Sequence, residues 1–330
     1  MNLFEEKDLV YVCAPMVRYS KQPFRHLVRR YNCDLAYTPM IMADSFIKSI
    51  EARDSDFTTN KGLFSCILNL NEKATYAHCN SHRLNLAVCA SYKVQYASIF
   101  WHTLMSYADG VGLNCGCPQR WAMAEGYGAQ LISKPELIND MIKQTRQRLP
   151  QDFSCEIKIR IHSDIRKTVD LCQKAEHAGV SWITVHGRLP SQRNEPVNYD
   201  AIKTIKDSLQ IPVVANGDIK NKEDAWDVVK KTGVNGVMAA QGMLNNPAMY
   251  AGYEVTPLQC VKDWVNIALS LGTPFVTFHH HLIFMLDKWL SNKGEKMLFN
   301  NLSSVAAVLD FLEDRYDISY DGFLIPNLNP

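Results

Sequence analysis

Short apolar runs typical of β-strands alternate with amphipathic helical stretches through most of this chain. The strand-like runs include 10–14 and 155–161, and the helix-like stretches include 165–178 and 222–231. Strands that alternate with helices of this length indicate a parallel sheet, and the number of units suits a closed barrel. The sequence therefore predicts an α/β fold, a (β/α)8 TIM barrel, over residues 1–255.

The pattern changes after residue 255, where only helical spacing remains. Residues 256–330 are expected to form a small helical domain packed on the barrel. This part carries five Lys and Arg against eight Asp and Glu, so it attracts an anionic partner only if Lys288, Lys293 and Lys296 share one face. Its apolar residues keep helical spacing over four turns and predict one helix. They are Leu298, Leu302, Val305, Leu309 and Leu312.

Residues 63–105 are atypical, because no ordinary strand-plus-helix unit is recognisable where the third one should stand. A barrel without a third strand leaves unpaired edges on the neighbouring strands. If the barrel closes, the strand must come from this segment, with 64–70 and 84–89 as the candidates. The third β/α unit is therefore doubtful, and the piece 74–88 resembles a fragment of hAT-type transposases.

The composition is that of a globular protein with reduced thiols. With 330 residues, 47% of them hydrophobic, the chain can bury one large core. Its ten Cys form no regular framework and no signal peptide is visible, so a cytoplasmic, intracellular location is expected. The apolar stretch 273–286 is too short to span a bilayer. It contains His279, His280 and His281, which predict a helix face rather than a metal site.

No metal site, membrane contact or protein partner is therefore predicted, and a monomer is expected. The net charge of +1 argues neither for nor against nucleic acid. Any RNA-binding surface has to be a local patch.

Polar residues and glycines follow the last two predicted strands. The carboxyl ends of barrel strands meet at one rim, where barrel active sites are built. Asn216-Gly217-Asp218 follows the seventh strand and Gln241-Gly242 follows the eighth. Barrels commonly bind phosphate at this position through backbone N–H groups. These five residues therefore predict a phosphate-binding site.

Two further strand ends carry Lys158 and His186. A Lys directed into the barrel needs an anionic partner, and a reduced flavin ring is such a partner. A His on a neighbouring strand end can hydrogen-bond a ring oxygen or nitrogen. A strand-end Lys is commonly solvated and Asn-Gly-Asp is commonly a turn, so only their joint placement indicates a flavin site.

The most distinctive motif is Asn114-Cys115-Gly116-Cys117-Pro118, directly after an apolar run. Gly116 allows the backbone to turn, and Pro118 suits the start of a helix. A thiol on such a turn is expected to be exposed and positioned for chemistry. Two Cys this close could also be half a metal site, but no matching Cys/His pair at zinc-finger spacing follows.

These motifs resemble those of the tRNA-dihydrouridine synthases, and most closely the subtype assigned to positions 20a and 20b of tRNA. The resemblance covers about residues 1–62 and 106–318, and the Asn-x-Gly-Cys-Pro element is its most specific part. The matching segments are Ala14-Pro15-Met16, Tyr37-Thr38-Pro39-Met40, 114–129, Lys158-Ile159-Arg160, 184–188, Asn216-Gly217-Asp218 and Asn246-Pro247-Ala248-Met249.

The resemblance implies a flavin-binding barrel with a helical tRNA-recognition domain. FMN, NADPH and tRNA are then the expected cofactor, reductant and partner. The flavin would pass hydride to C6 of a flipped-out uracil, and Cys117 would protonate C5 as a general acid. Asn114, Arg160 and Arg188 are candidates for holding the uracil and ribose. The candidate FMN contacts are Pro15, Met16, Val17, Lys158, His186, Asn216, Gly217, Asp218, Gln241 and Gly242.

Two single residues also depart from the resemblance. Gln241 stands where an Arg is expected, which removes a bidentate partner for the FMN phosphate, and Gly112 stands where an Asp usually precedes Asn114. An active tRNA-dihydrouridine synthase is the leading hypothesis. The alternatives are a catalytically compromised paralogue or aberrant splice product that binds tRNA or nothing, and an FMN barrel reductase of a small pyrimidine. The helical extension favours a macromolecular substrate over the last of these.

Overall fold

The computed structural model describes residues 3–42, the backbone of 84–89, and residues 108–290 and 292–322. The strands are β1 (Val10–Cys13), β2 (Leu35–Tyr37), β3 (Ile41–Met42), β4 (Leu84–Cys89), β5 (Gly110–Cys115), β6 (Ser154–Arg160), β7 (Trp182–His186), β8 (Val213–Asn216) and β9 (Gly236–Ala239). The helices are α1 (Gln22–Arg30), α2 (Arg120–Ala124), α3 (Pro135–Arg148), α4 (Ile165–His177), α5 (Tyr199–Asp207), α6 (Lys222–Thr232), α7 (Gln241–Asn245), α8 (Leu258–Ser270), α9 (Phe275–Met285), α10 (Lys293–Asn300) and α11 (Val305–Tyr316).

The strands form a closed ring of parallel pairs. β1 pairs with both β2 and β9, β2 pairs with β4, and each strand from β4 to β9 pairs with the next. β3 continues the line of β2 and pairs with β4. Eight strand positions closed by parallel pairing, with helices in the described connections from β5 to β9 and between β1 and β2, indicate a (β/α)8 barrel. The predicted TIM-barrel fold is confirmed.

The third position in the ring is taken by β4. Its backbone pairs Leu84 with Ala36 of β2 and Asn85 with Gly110 of β5. One of the two candidate strands is thereby confirmed. The other, 64–70, lies outside the described residues, as does the rest of 63–105. β4 closes the ring that the site requires, because it joins β2 to the strand that leads into the Cys117 turn.

Local sequence signals begin and end the helices beside the rim. α6 starts after Asn221, whose side-chain oxygen accepts from the Asp224 N–H at 2.7 Å, and it stops at Gly233 with φ of +71°. These are the preferred residue types at the two ends of a helix. The segment after the Cys117 turn is not one continuous helix. Gly126, with φ of +84°, separates α2 from a 3-10 turn at Gly128–Ser133.

Beyond β9 the described chain is helical, from α7 to α11. His281 of α9 lies between Phe24 and Trp264, with ring centroids 4.5 Å and 4.4 Å away, and its Nε2 lies 3.2 Å from the Tyr19 carbonyl oxygen. The His triplet is therefore a helix face, as predicted. The continuous helix over 298–312 is wrong, because Ser304 caps a new helix by accepting from the Ala307 N–H.

Neither a bilayer-spanning helix nor a metal cluster stands out in the described part of the chain. None of its helices has the length and apolar content needed to cross a bilayer. No group of three or more His, Cys, Asp or Glu side chains comes together there as a metal site.

Candidate functional site

Lys158 of β6 reaches across the inside of the barrel. Its ammonium donates to Asn216 Oδ1 of β8 at 2.8 Å, although β7 lies between these two strands in the sheet. The Asn216 amide in turn donates to the Met238 carbonyl of β9 at 2.8 Å, which fixes its oxygen towards Lys158. Burial, together with the nearby Arg160, lowers the pKa of Lys158 to about 8. The ammonium is therefore held in place at the mouth and remains mostly charged at neutral pH.

His186, at the end of β7, is a neutral imidazole. Its Nε2 lies 3.3 Å from Nη1 of Arg188, and a guanidinium only donates, so Nε2 accepts and the ring proton resides on Nδ1. Burial and the cations Lys158, Arg160 and Arg188 lower the pKa of His186 to about 2. The inner wall therefore presents three cations around a polar but uncharged ring, an arrangement suited to an anion.

Arg188 connects the end of β7 to the loop after β8. Its Nη2 forms an ion pair with Asp218 Oδ2 at 2.5 Å, and its Nε donates to the Glu195 carbonyl. Gly217 and Asp218 both have positive φ, +125° and +53°. A Cβ at Gly217 would lie 2.6 Å from a methyl carbon of Val197, so only glycine fits this turn.

The start of α7 packs against the same loop. A Cβ at Gly242 would lie 2.4 Å from the Ile219 carbonyl oxygen and 2.9 Å from Lys220 Cα. Gln241 is exposed, and its side-chain amide donates to Asn245 of the same helix at 2.9 Å. The predicted phosphate residues of the seventh and eighth barrel strands are thus brought together, with a neutral side chain at their edge.

Several hydrogen bonds hold the Cys117 turn in place. Asn114 Oδ1 accepts from the Gly116 N–H at 3.2 Å, and the Asn114 amide donates to the sulfur of Met40. The Cys117 carbonyl accepts from the Ala129 N–H at 2.8 Å. The expectation of an exposed thiol is wrong, since Cys117 is 8% accessible. The segment that begins at Gly128 folds back over it.

Arg160 braces that turn. Its Nε donates to the Gly116 carbonyl at 3.2 Å, and its Nη1 donates to the carbonyls of Leu189 and Gln192 at 2.8 and 3.0 Å. The side chain is buried, so these carbonyls compensate for the desolvation of its charge. Its predicted contact with substrate remains a prediction, and the structure adds a bracing role between the loops after β5 and β7.

The first strand end lies at the same rim. The Met16 N–H donates to Ser20 Oγ at 2.9 Å, and the Met16 carbonyl accepts from the Ser20 N–H at 3.0 Å. Pro15 is half-buried and Val17 is exposed. The turn is therefore closed by its own residues, and the roles of Pro15, Met16 and Val17 remain predictions.

Glu156 is the functional candidate that was not expected from the sequence. It lies two residues before Lys158 on β6, is 1% accessible, and accepts from Thr184 Oγ1 at 2.7 Å. A Cβ at Gly112 would lie only 2.6 Å from Glu156 Oε1, so an Asp at 112 would require the Glu156 carboxyl to move. The sequence signal was the alternation Glu156-Ile-Lys158-Ile-Arg160, which places all three charges on one face of the strand.

Comparison with known proteins agrees with this geometry. The model of the family described as "Dihydrouridine synthase (Dus)" matches residues 12–307. A human tRNA-dihydrouridine(20a/20b) synthase-like protein of the NAD(P)+ type is 54% identical over 319 residues, which cover 96% of this chain and 94% of that protein. Its mouse counterpart is 55% identical over 317 residues, covering 96% and 92%. The Schizosaccharomyces pombe tRNA-dihydrouridine(20a/20b) synthase is 40% identical over 311 residues, covering 94% and 89%. This chain belongs to the dihydrouridine synthase family.

Proposed function

We propose that this protein is a tRNA-dihydrouridine synthase that binds FMN, takes its reducing equivalents from NADPH, and reduces a uridine flipped out of tRNA. The observation that carries the proposal is the Lys158 ammonium, held on Asn216 inside the barrel mouth. The relatives are named for tRNA, for the 20a/20b positions and for NAD(P)+, which supports the same substrate and reductant here.

The residues of the mouth fit FMN at two separate points. The turn at Gly217 and the start of α7 at Gly242 approach so closely that neither position has room for a Cβ, and such backbone cradles suit a phosphate. Lys158 and the neutral His186 lie at the ends of β6 and β7, where they can meet the ring. When bound, FMN supplies the hydride for C6 of the uracil.

The chain's own residues have distinct tasks in this proposal. Cys117 holds the proton that goes to C5, and Arg160 fixes the turn that carries it. Lys158 presents positive charge to the reduced ring, and Asn216 fixes its position. Asn114 and Arg188 orient the uracil and ribose in this proposal. Because the Cys117 turn is recessed, a base stacked in RNA cannot reach it, and the uridine must be flipped out.

Purified protein tests the proposal directly. We expect yellow protein with flavin absorbance, and NADPH-dependent formation of dihydrouridine at position 20a or 20b of unmodified tRNA, measured by mass spectrometry of nuclease digests. Uracil and uridine serve as control substrates, and turnover of these with none on tRNA would favour the small-pyrimidine reductase. No product from flavin-saturated protein on any of them would reject an enzyme role.

Gln241→Arg is expected to raise FMN occupancy and lower the FMN dissociation constant. Gln241 lies at the edge of the phosphate cradle, and its side-chain amide donates to Asn245 of its own helix. A charge-assisted Arg–phosphate pair is about twice as strong as a neutral hydrogen bond. Asn245→Arg adds the same charge at another exposed position, one turn further along the same helix, and is the control. Equal dissociation constants for wild type and Q241R in a fluorescence titration would contradict this account of the phosphate site.

A further inference from the structure

We propose that Glu156 is a positioning residue, which keeps the ammonium of Lys158 charged and seated on Asn216. This inference deepens the proposed function, since the ammonium matters to catalysis only if an anionic ring lies against it. The placement of Glu156, however, stands on the geometry of the chain alone.

Neighbouring residues hold the carboxyl of Glu156 in place inside the barrel. Thr184 Oγ1 donates to Oε2 at 2.7 Å, and the missing side chain at Gly112 leaves the space that Oε1 occupies. Burial raises the pKa of this carboxyl above its usual value, and the side chains of Tyr37, Thr184 and Trp182 and the charge of Lys158 oppose that rise. A buried charge is costly unless it is paired and hydrogen-bonded, and the Thr184 hydroxyl and the Lys158 ammonium compensate part of that cost.

Glu156 lies beneath Lys158 on the same face of β6, because successive side chains of a strand alternate between its two faces. The carboxylate is thus deep in the barrel and the ammonium is nearer the mouth. Lys158 bonds Asn216 with its tip, so its charged end stays directed away from Glu156 and towards the cavity. Glu156 therefore stabilises the charge of Lys158 electrostatically, without a direct ion pair that would cover the ammonium.

Burial and Arg160 disfavour the charge of Lys158, whereas its hydrogen bond to Asn216 favours it. Arg160 acts on it from the same strand, and Arg188 and the neutral His186 lie at the end of β7. The carboxylate of Glu156 acts in the opposite direction. Burial and Arg160 lower the pKa of Lys158 to about 8, so Glu156 is the one carboxylate among these groups that opposes further loss of the proton.

Glu156→Gln tests this role, because it removes the charge and leaves an oxygen for Thr184. Acetylation of Lys158 by acetic anhydride, followed by mass spectrometry across a pH series, measures the free-amine fraction in the full-length protein without added FMN. We expect the midpoint of the acetylation profile to lie about one pH unit lower in E156Q than in wild type, because the favourable interaction of the Glu156 carboxylate with the Lys158 ammonium is lost. An effective dielectric constant of ~20 gives an effect of this order. At pH 6 the rate at Lys158 then rises about tenfold.

Asp34→Asn is the matched control. Asp34 is also a shielded carboxylate, with 8% side-chain accessibility and a bond from the Tyr11 N–H, but it precedes β2 and so lies at the opposite end of the barrel. Its removal should leave the Lys158 profile unchanged. If E156Q does not fold, Thr184→Val withdraws one donor from Glu156 and should shift the profile in the same direction by less. An unshifted profile in a folded E156Q, or in a folded T184V where E156Q is lost, would overturn the proposal.

An FMN titration over the same pH range separates this inference from the proposed function. If both hold, affinity weakens as Lys158 loses its proton, and the weakening moves to lower pH in E156Q. Wild-type protein that binds no FMN at any pH would overturn the proposed function, while the acetylation profile would still decide the role of Glu156.

Discussion

Cys117→Ala is expected to abolish dihydrouridine formation while NADPH still reduces the bound flavin. The thiol holds the proton for C5, and no other titratable side chain lies on the turn 114–118 except its neighbour Cys115. General acids are typically worth about 10² to 10⁴ in rate. Anaerobic bleaching of the flavin by NADPH measures the first half-reaction, and dihydrouridine yield on unmodified tRNA measures the second.

Cys115→Ala is the control, because Cys115 is fully buried in the last position of β5, before the turn that carries Cys117. Its effect on dihydrouridine yield should be small. Equal yields from wild type and C117A would exclude Cys117 as the acid. Loss of flavin bleaching in C117A would instead show that the turn contributes to the flavin site.

Gly128→Ala is expected to lower turnover by about 10², because displacing a reacting group by a fraction of an ångström to an ångström can cost that much. A Cβ at this position would lie 2.5 Å from the Cys117 carbonyl oxygen and 2.9 Å from Cys117 Cβ. The substitution therefore pushes directly on the turn that carries the thiol. The rate of dihydrouridine formation per bound flavin is the measurement, so that partial unfolding is not counted as lost chemistry.

Gly126→Ala separates displacement from backbone strain. Both glycines have positive φ, +84° at Gly126 and +59° at Gly128, so alanine is strained at either one. Among the described residues, however, nothing lies within 4 Å of a Cβ at Gly126. G126A should melt at a lower temperature than wild type but turn over normally per bound flavin. A similar loss of turnover in both variants would mean that strain, rather than pressure on Cys117, limits the reaction.

The barrel and its rim could be predicted because their signals are local. Alternating strand and helix patterns fixed the order of elements, and the residues at strand ends then had to share one rim. Lys158 and Asn216 are 58 positions apart in sequence yet meet at 2.8 Å for this reason. The alternating charges on β6 are also a local signal. The burial of Glu156, however, depends on Gly112, a residue of the neighbouring strand β5.

What could not be predicted depends on packing between segments. The recess around Cys117 arises because Gly128 folds back on it, and the bracing role of Arg160 depends on carbonyls of two loops. From the sequence, Gly112 is only a departure from the resemblance, whereas the structure shows that it makes room for a carboxylate from the neighbouring strand. None of these contacts follows from spacing along the chain.

The way in which β4 closes the ring also affects which sequence changes the barrel can tolerate. To close the ring, the backbone of Leu84–Cys89 has to pair with β2 and β5. Almost any residue except proline can form these backbone hydrogen bonds. A segment of unrelated ancestry can satisfy that demand if it brings one extended stretch of sufficient length. Recombination can therefore exchange the sequence of β4 while strands β5 to β9 keep theirs. Chimaeras of related barrels should tolerate crossovers on either side of β4.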